Sequence, residues 1–323
     1  MKPAVLLTRR VPASVLVRLR EACEVDLYEG PSAIPREELL ARVRGKDALI
    51  CLLTDRVDRE VIDAADRLRL IANIAVGFDN IDVAHARARG IPVTNTPDVL
   101  TEATAEFTWA LILAVTRRVA EGERVLRAGR WKGWALDYML GMELRGKQLG
   151  IVGLGRIGAA VASRAPAFGM TVAAASLDGA AGSASRSPLP VPAVKAMPFE
   201  EILRTSDVVS LHVPLTRETR HLIDRQALTR MKRSAYLVNT ARGPVVDEEA
   251  LAWALGERLI AGAALDVYEH EPTVHPALLS LDHVVLAPHL GSATTETRTA
   301  MADLAVSNVL RVLQGQPPLT PVD

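Results

Sequence analysis

The stretch Gly150-Ile-Val-Gly-Leu-Gly-Arg-Ile-Gly158 constrains this chain more than any other. An apolar run ends in Gly153, Gly155 and Gly158, spaced G-x-G-x-x-G, and Ala159-Ala-Val-Ala-Ser-Arg-Ala165 follows with helical composition. Strand, glycine turn and helix start form the geometry that receives a dinucleotide pyrophosphate. The first glycine permits a tight turn, the second lets the backbone approach the phosphates, and the third lets helix and strand pack closely. The helix N-terminus then presents unpaired N–H groups and the positive end of its dipole to the negative charge. Ordinary glycine-rich βα turns share the spacing, so its weight comes from the flanking strand and helix.

At 323 residues the chain is long for one core, and two domains are expected. Formal net charge is zero, so no broad basic field points to nucleic acid or to an anionic membrane surface. Cys23 and Cys51 lack metal-ligand spacing and sit among apolar residues. They read as buried thiols, which fits a reducing cytoplasmic setting, and no metal site is expected. The run Ala4-Val-Leu-Leu7 before Arg9-Arg10 is too short for a signal-peptide core and reads as a first strand. The longest apolar helix core, Phe107 to Val115, is too short to span a bilayer.

In the first hundred residues, short apolar runs alternate with helix-like segments. Strands are expected at Ala4–Thr8, Glu24–Tyr28, Ala48–Leu53, Leu70–Ile74 and Ile91–Thr94, with helices at Val11–Cys23, Arg36–Val43 and Arg59–Asp66. That alternation predicts a parallel sheet covered on both faces. A long helix is expected over Thr101–Arg118, with Thr101 as its N-cap. The segment Gly129-Arg-Trp-Lys-Gly-Trp-Ala135 holds two of the four tryptophans, and such residues can serve an interface or a core. A second α/β unit begins at Leu149, with strands at Leu149–Val152, Met170–Ala175, Asp207–Val213, Ala235–Asn239, Ile260–Asp266 and His283–Ala287. Between them fall helices at Phe199–Arg204, Asp224–Met231 and Glu248–Leu255, the last capped by Asp247. Gly179–Pro198, rich in Ala, Ser, Gly and Pro, reads as an irregular loop. The final helix, Glu296–Leu313, can return to the first unit and make it discontinuous.

Three polar residues fall just after strands of the second unit. Arg242 follows Ala235–Asn239, Glu271 follows Ile260–Asp266, and His289 follows His283–Ala287. In open parallel sheets, ligands bind outside the carboxyl ends of the strands, where the glycine turn also lies. Each residue has an ordinary reading: a surface arginine, a loop-capping glutamate, and a satisfied histidine like His85, His212, His221, His270, His275 and His283. Their joint placement beside a nucleotide turn is what singles them out.

These residues stand in a longer series of motifs: Val76-Gly-Phe-Asp-Asn-Ile-Asp82, Val93-Thr-Asn-Thr-Pro-Asp98, Val152–Gly158, Leu211-His-Val-Pro-Leu-Thr216, Leu237-Val-Asn-Thr-Ala-Arg-Gly243, Leu265-Asp-Val-Tyr268 with Glu271-Pro272, and Ala287-Pro-His-Leu-Gly-Ser292. Through them the chain resembles the D-isomer-specific 2-hydroxyacid dehydrogenase family over essentially its full length. Within that family its motifs are most similar to glyoxylate and hydroxypyruvate reductases. The resemblance implies an α/β architecture of two Rossmann-like, doubly wound parallel-sheet domains. A discontinuous, flavodoxin-like substrate domain would span 1–99 plus 291–323, and a dinucleotide-binding domain 100–290.

The resemblance also implies a reaction, the reduction of small 2-keto acids such as glyoxylate and hydroxypyruvate to D-2-hydroxy acids by hydride transfer from NAD(P)H. It assigns Arg242, Glu271 and His289 as the catalytic set. Arg242 would hold the substrate carboxylate as a fork and polarise the carbonyl. His289 would supply the proton, and Glu271 would orient the imidazole and favour its charged form. Val76 and Gly77 would offer backbone N–H groups to the carboxylate, and Leu53 would line the pocket beside Arg242 and His289. The cofactor contacts implied are Thr104, Gly153, Gly155, Arg156, Ile157, Gly158, Ser176, Val213, Pro214, Thr219, Thr240, Ala241, Asp266 and Gly291. Asp79 and Asn80 are expected to shape their own turn.

NAD-using relatives place an acid at the end of the second strand, where it bonds the ribose 2′-hydroxyl. Here that position is Ser176, followed by Leu177, with Asp178 and Arg186 as alternative contacts for ribose or phosphate. The missing acid tilts the expectation towards NADP(H). A homodimer is expected, with Trp131 and Trp134 at its contact. Three other readings compete: a 3-phosphoglycerate dehydrogenase, a phosphite-oxidising relative and a nucleotide-sensing corepressor. The first two want added cations near Val76 and Leu53, and the last would bind cofactor yet turn over keto acids feebly.

Overall fold

Short apolar runs alternating with polar helical segments fold into two parallel-sheet units. The computed structural model describes residues 2–175 and 194–322. One unit comprises Met1–Leu100 and Ala293–Asp323, the other Thr101–Ser292.

The first unit runs β1 (Ala4–Leu7), α1 (Ala13–Ala22), β2 (Glu24–Leu27), α2 (Arg36–Arg42), β3 (Ala48–Cys51), α3 (Arg59–Ala64), β4 (Leu70–Asn73), α4 (Val83–Ala88) and β5 (Val93–Thr94). Its strands pair in parallel in the order β2-β1-β3-β4-β5, the flavodoxin-like arrangement. Every residue of β3 and β4 is buried. Helices cover both faces of such a sheet, so the strands read as continuous apolar runs without alternation. Asp58 and Asp82 open α3 and α4 by accepting the backbone N–H groups of Val61 and His85.

The second unit runs α5 (Thr101–Thr116), α6 (Val119–Arg127), β6 (Gln148–Val152), α7 (Arg156–Arg164), β7 (Thr171–Ala175), β8 (Lys195–Ala196), α8 (Phe199–Thr205), β9 (Val208–Leu211), α9 (Arg225–Arg230), β10 (Tyr236–Asn239), α10 (Glu248–Gly256), β11 (Gly262–Leu265), α11 (Pro276–Leu279) and β12 (Val284–Leu286). The last helix, α12 (Thr295–Leu313), belongs to the first unit and packs on α1, β3 and β4, where Arg18 bonds Asp303 at 2.5 Å. The first unit is therefore discontinuous. In the second, the order β12-β11-β10-β9-β6-β7-β8 reverses direction between β6 and β9. That reversal is where open parallel sheets bind their ligands.

Three local expectations change. The helix expected to reach Arg118 stops at Thr116, because Arg118 takes a left-handed conformation (φ 54°) that turns the chain into α6. Thr101 is the first helical residue of α5 and not a cap before it. The stretch read as an irregular loop to Pro198 contains β8, which pairs Lys195 with Ala173 and Ala196 with Ala174. Two residues on a sheet edge are too few to show a strand period. No helix among the described residues is long and apolar enough to cross a membrane.

Candidate active site

The glycine turn follows β6, and its geometry explains the residue types. Gly153 has φ 94°, and a Cβ there would lie 2.8 Å from the His212 backbone. A Cβ on Gly158 would meet the Gly153 carbonyl oxygen at 2.2 Å, so any side chain would push α7 off the turn. A Cβ on Gly155 would meet nothing within 4 Å, so the space over the start of α7 is open. Gly155 is the N-cap of α7 and places no side chain on its first N–H groups. A close-packed turn under an open helix N-terminus fits a pyrophosphate. Arg156 and Ile157 occupy the first helical positions.

Four more strand ends carry the other residues singled out. After β9 come Val213 and Pro214, and the Thr219 hydroxyl donates to the Pro214 carbonyl at 2.6 Å. After β10 come Thr240, Ala241 and Arg242. The Thr240 hydroxyl lies 2.9 Å from that of Thr108, which donates to the Thr104 carbonyl at 2.8 Å. Arg242 is half-buried. Its carbonyl accepts from Asn239 Nδ2 at 2.9 Å, while Asn239 Oδ1 accepts the Ala241 N–H at 3.0 Å. A Cβ on Gly243 would meet the Tyr268 carbonyl at 1.8 Å, so the Arg242 segment is pressed against the loop after β11.

That loop supplies two carboxylates. Asp266 is buried, its carbonyl accepts the His289 N–H at 2.9 Å, and its two carboxylate oxygens accept the N–H groups of Leu290 (2.6 Å) and Gly291 (2.8 Å). His289 itself sits in the left-handed region (φ 54°), a conformation that costs about 1–3 kcal/mol and persists only where neighbours over-determine it. Asp266 provides that determination with three bonds across residues 289–291. Burial pushes its carboxyl up, against the two N–H bonds and the His289 charge.

Glu271 faces the histidine. His289 Nδ1 lies 2.9 Å from Oε2 and 3.2 Å from Oε1, and Oε1 also accepts the Tyr268 N–H at 3.1 Å. Burial alone would raise the Glu271 carboxyl. The hydrogen bond and charge of His289, the Tyr268 N–H and the Arg242 charge outweigh it and bring it below the ordinary glutamate value. With Nδ1 engaged by a carboxylate, Nε2 is the ring atom left to exchange a proton. Tyr268 braces the site from beneath, its hydroxyl donating to the Ala287 carbonyl at 2.9 Å.

Other histidines are engaged elsewhere. His212 is 2.9 Å from the Ser210 hydroxyl and burial pushes it down to about 3, so it is neutral. His221 pairs with Glu269 at 2.5 Å, and His85 with Asp63 at 2.8 Å.

In the first unit, Leu53 lies after β3, and Val76 and Gly77 lie after β4, all at the carboxyl edge of that sheet. Asn80 does more than shape its own turn. Its Nδ2 donates to the carbonyls of Leu52 (3.1 Å) and Asp55 (3.0 Å), tying down the Leu53 loop. Asn73 and Asn95, which the sequence alone did not single out, bond the carbonyls of Gly77 and Val76. A buried asparagine at the last residue of a strand, as at Asn73 and Asn239, is the signal that could have found Asn73, because buried amides must be satisfied; Asn95, one residue past β5, carries no such signal. Ser176, Leu177, Asp178 and Arg186 lie outside the described residues. Among the described residues no cluster of three or more His, Cys, Asp or Glu side chains could hold a metal ion.

Residues 109–291 match the NAD-binding domain of the D-isomer specific 2-hydroxyacid dehydrogenases. The chain is 50% identical to the glyoxylate reductase of Thermofilum pendens over 321 residues, covering 98% of this chain and 93% of that protein. It is 49% identical to the glyoxylate reductase of Pyrococcus furiosus over 327 residues, covering 100% of this chain and 96% of that one. Among solved structures, a protein of Thermus thermophilus superposes with a TM-score of 0.90 at 49% identity, covering 99% of this chain and 100% of that one. The NADPH-dependent glyoxylate/hydroxypyruvate reductase of Sinorhizobium meliloti, solved with NADP and malonate, superposes with a TM-score of 0.86 at 35% identity, covering 100% and 97%.

Proposed function

The chain belongs to the D-isomer specific 2-hydroxyacid dehydrogenase family, and on that premise we propose that it reduces glyoxylate to glycolate and hydroxypyruvate to D-glycerate with a reduced nicotinamide dinucleotide. The observation that carries this reading is the His289–Glu271 pair, 2.9 Å apart, beside Asp266. A charged imidazole held by an ionised carboxylate is the proton donor that carbonyl reduction needs.

The nicotinamide, when bound, supplies the hydride. Gly153, Gly155, Arg156, Ile157 and Gly158 would hold its pyrophosphate, with Thr104, Val213, Pro214, Thr219, Thr240, Ala241, Asp266 and Gly291 along the rest. Arg242 grips the keto acid's carboxylate as a fork and draws density from the carbonyl oxygen. His289 Nε2 gives that oxygen a proton in reduction and takes it back in oxidation. Glu271 keeps the Nδ1–H in place, sets the tautomer and stabilises the imidazolium. In the first unit, the N–H groups of Val76 and Gly77 receive the carboxylate and Leu53 supplies an apolar wall. A backbone cradle suits a small substrate and brings no cation for a phosphorylated one.

NADP(H) is the preferred cofactor in this reading. Support comes from β7, whose apolar run ends at Ala175 with Ser176, not an acid, next in sequence, and from the NADPH-dependent Sinorhizobium meliloti enzyme. We assign the protein to the cytoplasm on its two free, buried cysteines. We assign it a homodimer on the apolar side chains of α6 and residues 131–140, where Trp131 and Trp134 are 52% and 81% exposed. A patch of that kind marks an interface.

The test is initial rates of nicotinamide oxidation with glyoxylate, hydroxypyruvate and pyruvate, each with NADPH and with NADH. Fast turnover of the first two with NADPH favoured is expected. Cofactor binding without turnover of any keto acid would overturn the assignment.

A further inference from the structure

We infer that Asn95 and Asn73 are positioning residues for the substrate carboxylate, and that the segment after α12 holds Asn95 in place. The inference rests on the reading that the Gly77 N–H meets that carboxylate, and it adds the Phe78 N–H as a donor beside it.

Asn95 Nδ2 donates to the Val76 carbonyl at 2.8 Å, and Asn73 Nδ2 donates to the Gly77 carbonyl at 2.8 Å. Both peptides are trans, so each points its N–H opposite to its C=O. Pinning the Val76 carbonyl turns the Gly77 N–H away from Asn95. Pinning the Gly77 carbonyl turns the Phe78 N–H away from Asn73. Among the described residues neither N–H meets a protein acceptor. Unpaired backbone donors seek water or a ligand, and successive N–H groups of a loop make an anion-binding concavity. The two amides therefore decide which way the donors face.

Asn95 is gripped in turn. Its N–H donates to the Thr320 carbonyl at 3.3 Å and its carbonyl accepts from the Thr320 hydroxyl at 2.6 Å. The same hydroxyl accepts from Asn308 Nδ2 at 2.9 Å, and Asn308 Oδ1 takes the N–H groups of Leu319 (2.8 Å) and Thr320 (3.1 Å). Asn308 is fully buried on α12. A line of bonds thus runs from the last helix through Thr320 and Asn95 to the Val76 peptide. None of the side chains in this line titrates.

The test is steady-state kinetics on the full-length enzyme. Asn95→Asp keeps the size of the side chain but loses the donor and adds a negative charge behind the loop. It should raise KM for glyoxylate about tenfold or more, the value of one hydrogen bond to a charged group. kcat should stay within about threefold and KM for NADPH should not move, because ground-state binding of one substrate is what is lost. Thr320→Val should raise the same KM by about threefold. An unchanged KM for glyoxylate in a folded Asn95→Asp protein would overturn the inference. So would equal losses in kcat and in both KM values, which would make Asn95 mere scaffold. Should Asn95→Asp fail to fold, Thr320→Val carries the test, and an unmoved KM there overturns the inference. The wild-type rates are read first: a wild-type protein that binds NADPH and turns over no keto acid sinks the functional reading, and this one with it.

Discussion

The two units present different chemistry at their carboxyl edges. The seven-stranded unit offers charge: Arg242, Glu271, Asp266 and His289 all follow strands β10 to β12. The five-stranded unit offers oriented peptide dipoles: Val76 and Gly77 are tied down by Asn95 and Asn73, and the Leu53 loop by Asn80. Groups that move protons must titrate, and groups that only recognise a fixed carboxylate need not. The comparison teaches that charge-altering substitutions should act on turnover through the second unit, while recognition through the first rests on how its amides orient the backbone.

The largest effects should come from the second unit. His289→Ala removes the proton donor and should lower kcat by about 10²–10⁴. Arg242→Ala should lower kcat/KM about a hundredfold or more, since two hydrogen bonds to a charged group are lost. Initial rates with glyoxylate, with NADPH binding measured alongside, check both. A His289→Ala enzyme whose kcat matched wild type would break the comparison at its root.

Glu271→Gln comes next, with an expected loss of about 10- to 100-fold in kcat/KM. Burial raises the Glu271 carboxyl, but His289, the Tyr268 N–H and Arg242 bring it below its ordinary value. Its ionised form is thus present through neutral pH and is lost only as pH falls through the lowered folded value. Wild-type kcat/KM should therefore hold on the acid side down to the carboxylate range, and the Glu271→Gln variant should lose that acid limb. A pH series from about 4 to 9 on both proteins, bracketing the carboxylate and histidine ranges, reads the difference.

Much of this was legible in the sequence, and the reasons differ by element. The glycine turn is contiguous, so spacing alone exposes it. Arg242, Glu271 and His289 could be located because each closes an apolar run. Asp266 was assigned only to the cofactor, yet both its oxygens take the N–H groups of Leu290 and Gly291. That second duty depends on two adjacent strand ends and leaves no trace in either segment. Asn73, Asn95 and Asn239 hold carbonyls, and an amide's partner is set by tertiary position, not by a motif. α6 escaped notice because none of its residues is buried and no apolar run in the sequence marks it.

The steric demand at the glycine turn gives the third effect. Gly158→Ala puts a Cβ 2.2 Å from the Gly153 carbonyl oxygen, a backbone atom that cannot swing aside. Overpacking of this kind costs about 1–3 kcal/mol. Denaturant unfolding should show that loss, with weaker NADPH binding, while Gly155→Ala, facing open space, should unfold like wild type.

The smallest effect tests an ion pair of the first unit. Asp26 on β2 is bonded by Arg42 and by Lys46, the latter at 2.8 Å. Burial raises its carboxyl, but the bonds to Arg42 and Lys46 and their charges leave it below the ordinary aspartate value. A depressed folded value means stability that is present above the unfolded pKa of about 3.9 and lost as pH falls through the folded one. Asp26→Asn should remove about 1 kcal/mol or less at pH 7, the range for partly exposed pairs. The gap to wild type should close below about pH 4, where the native carboxylate is protonated too. Its kcat/KM at pH 7 should match wild type, in contrast to Glu271→Gln. Chemical denaturation at about pH 7, 5 and 3 checks the stability half; a constant gap across the three would mean that Asp26 acts through packing and not through its charge.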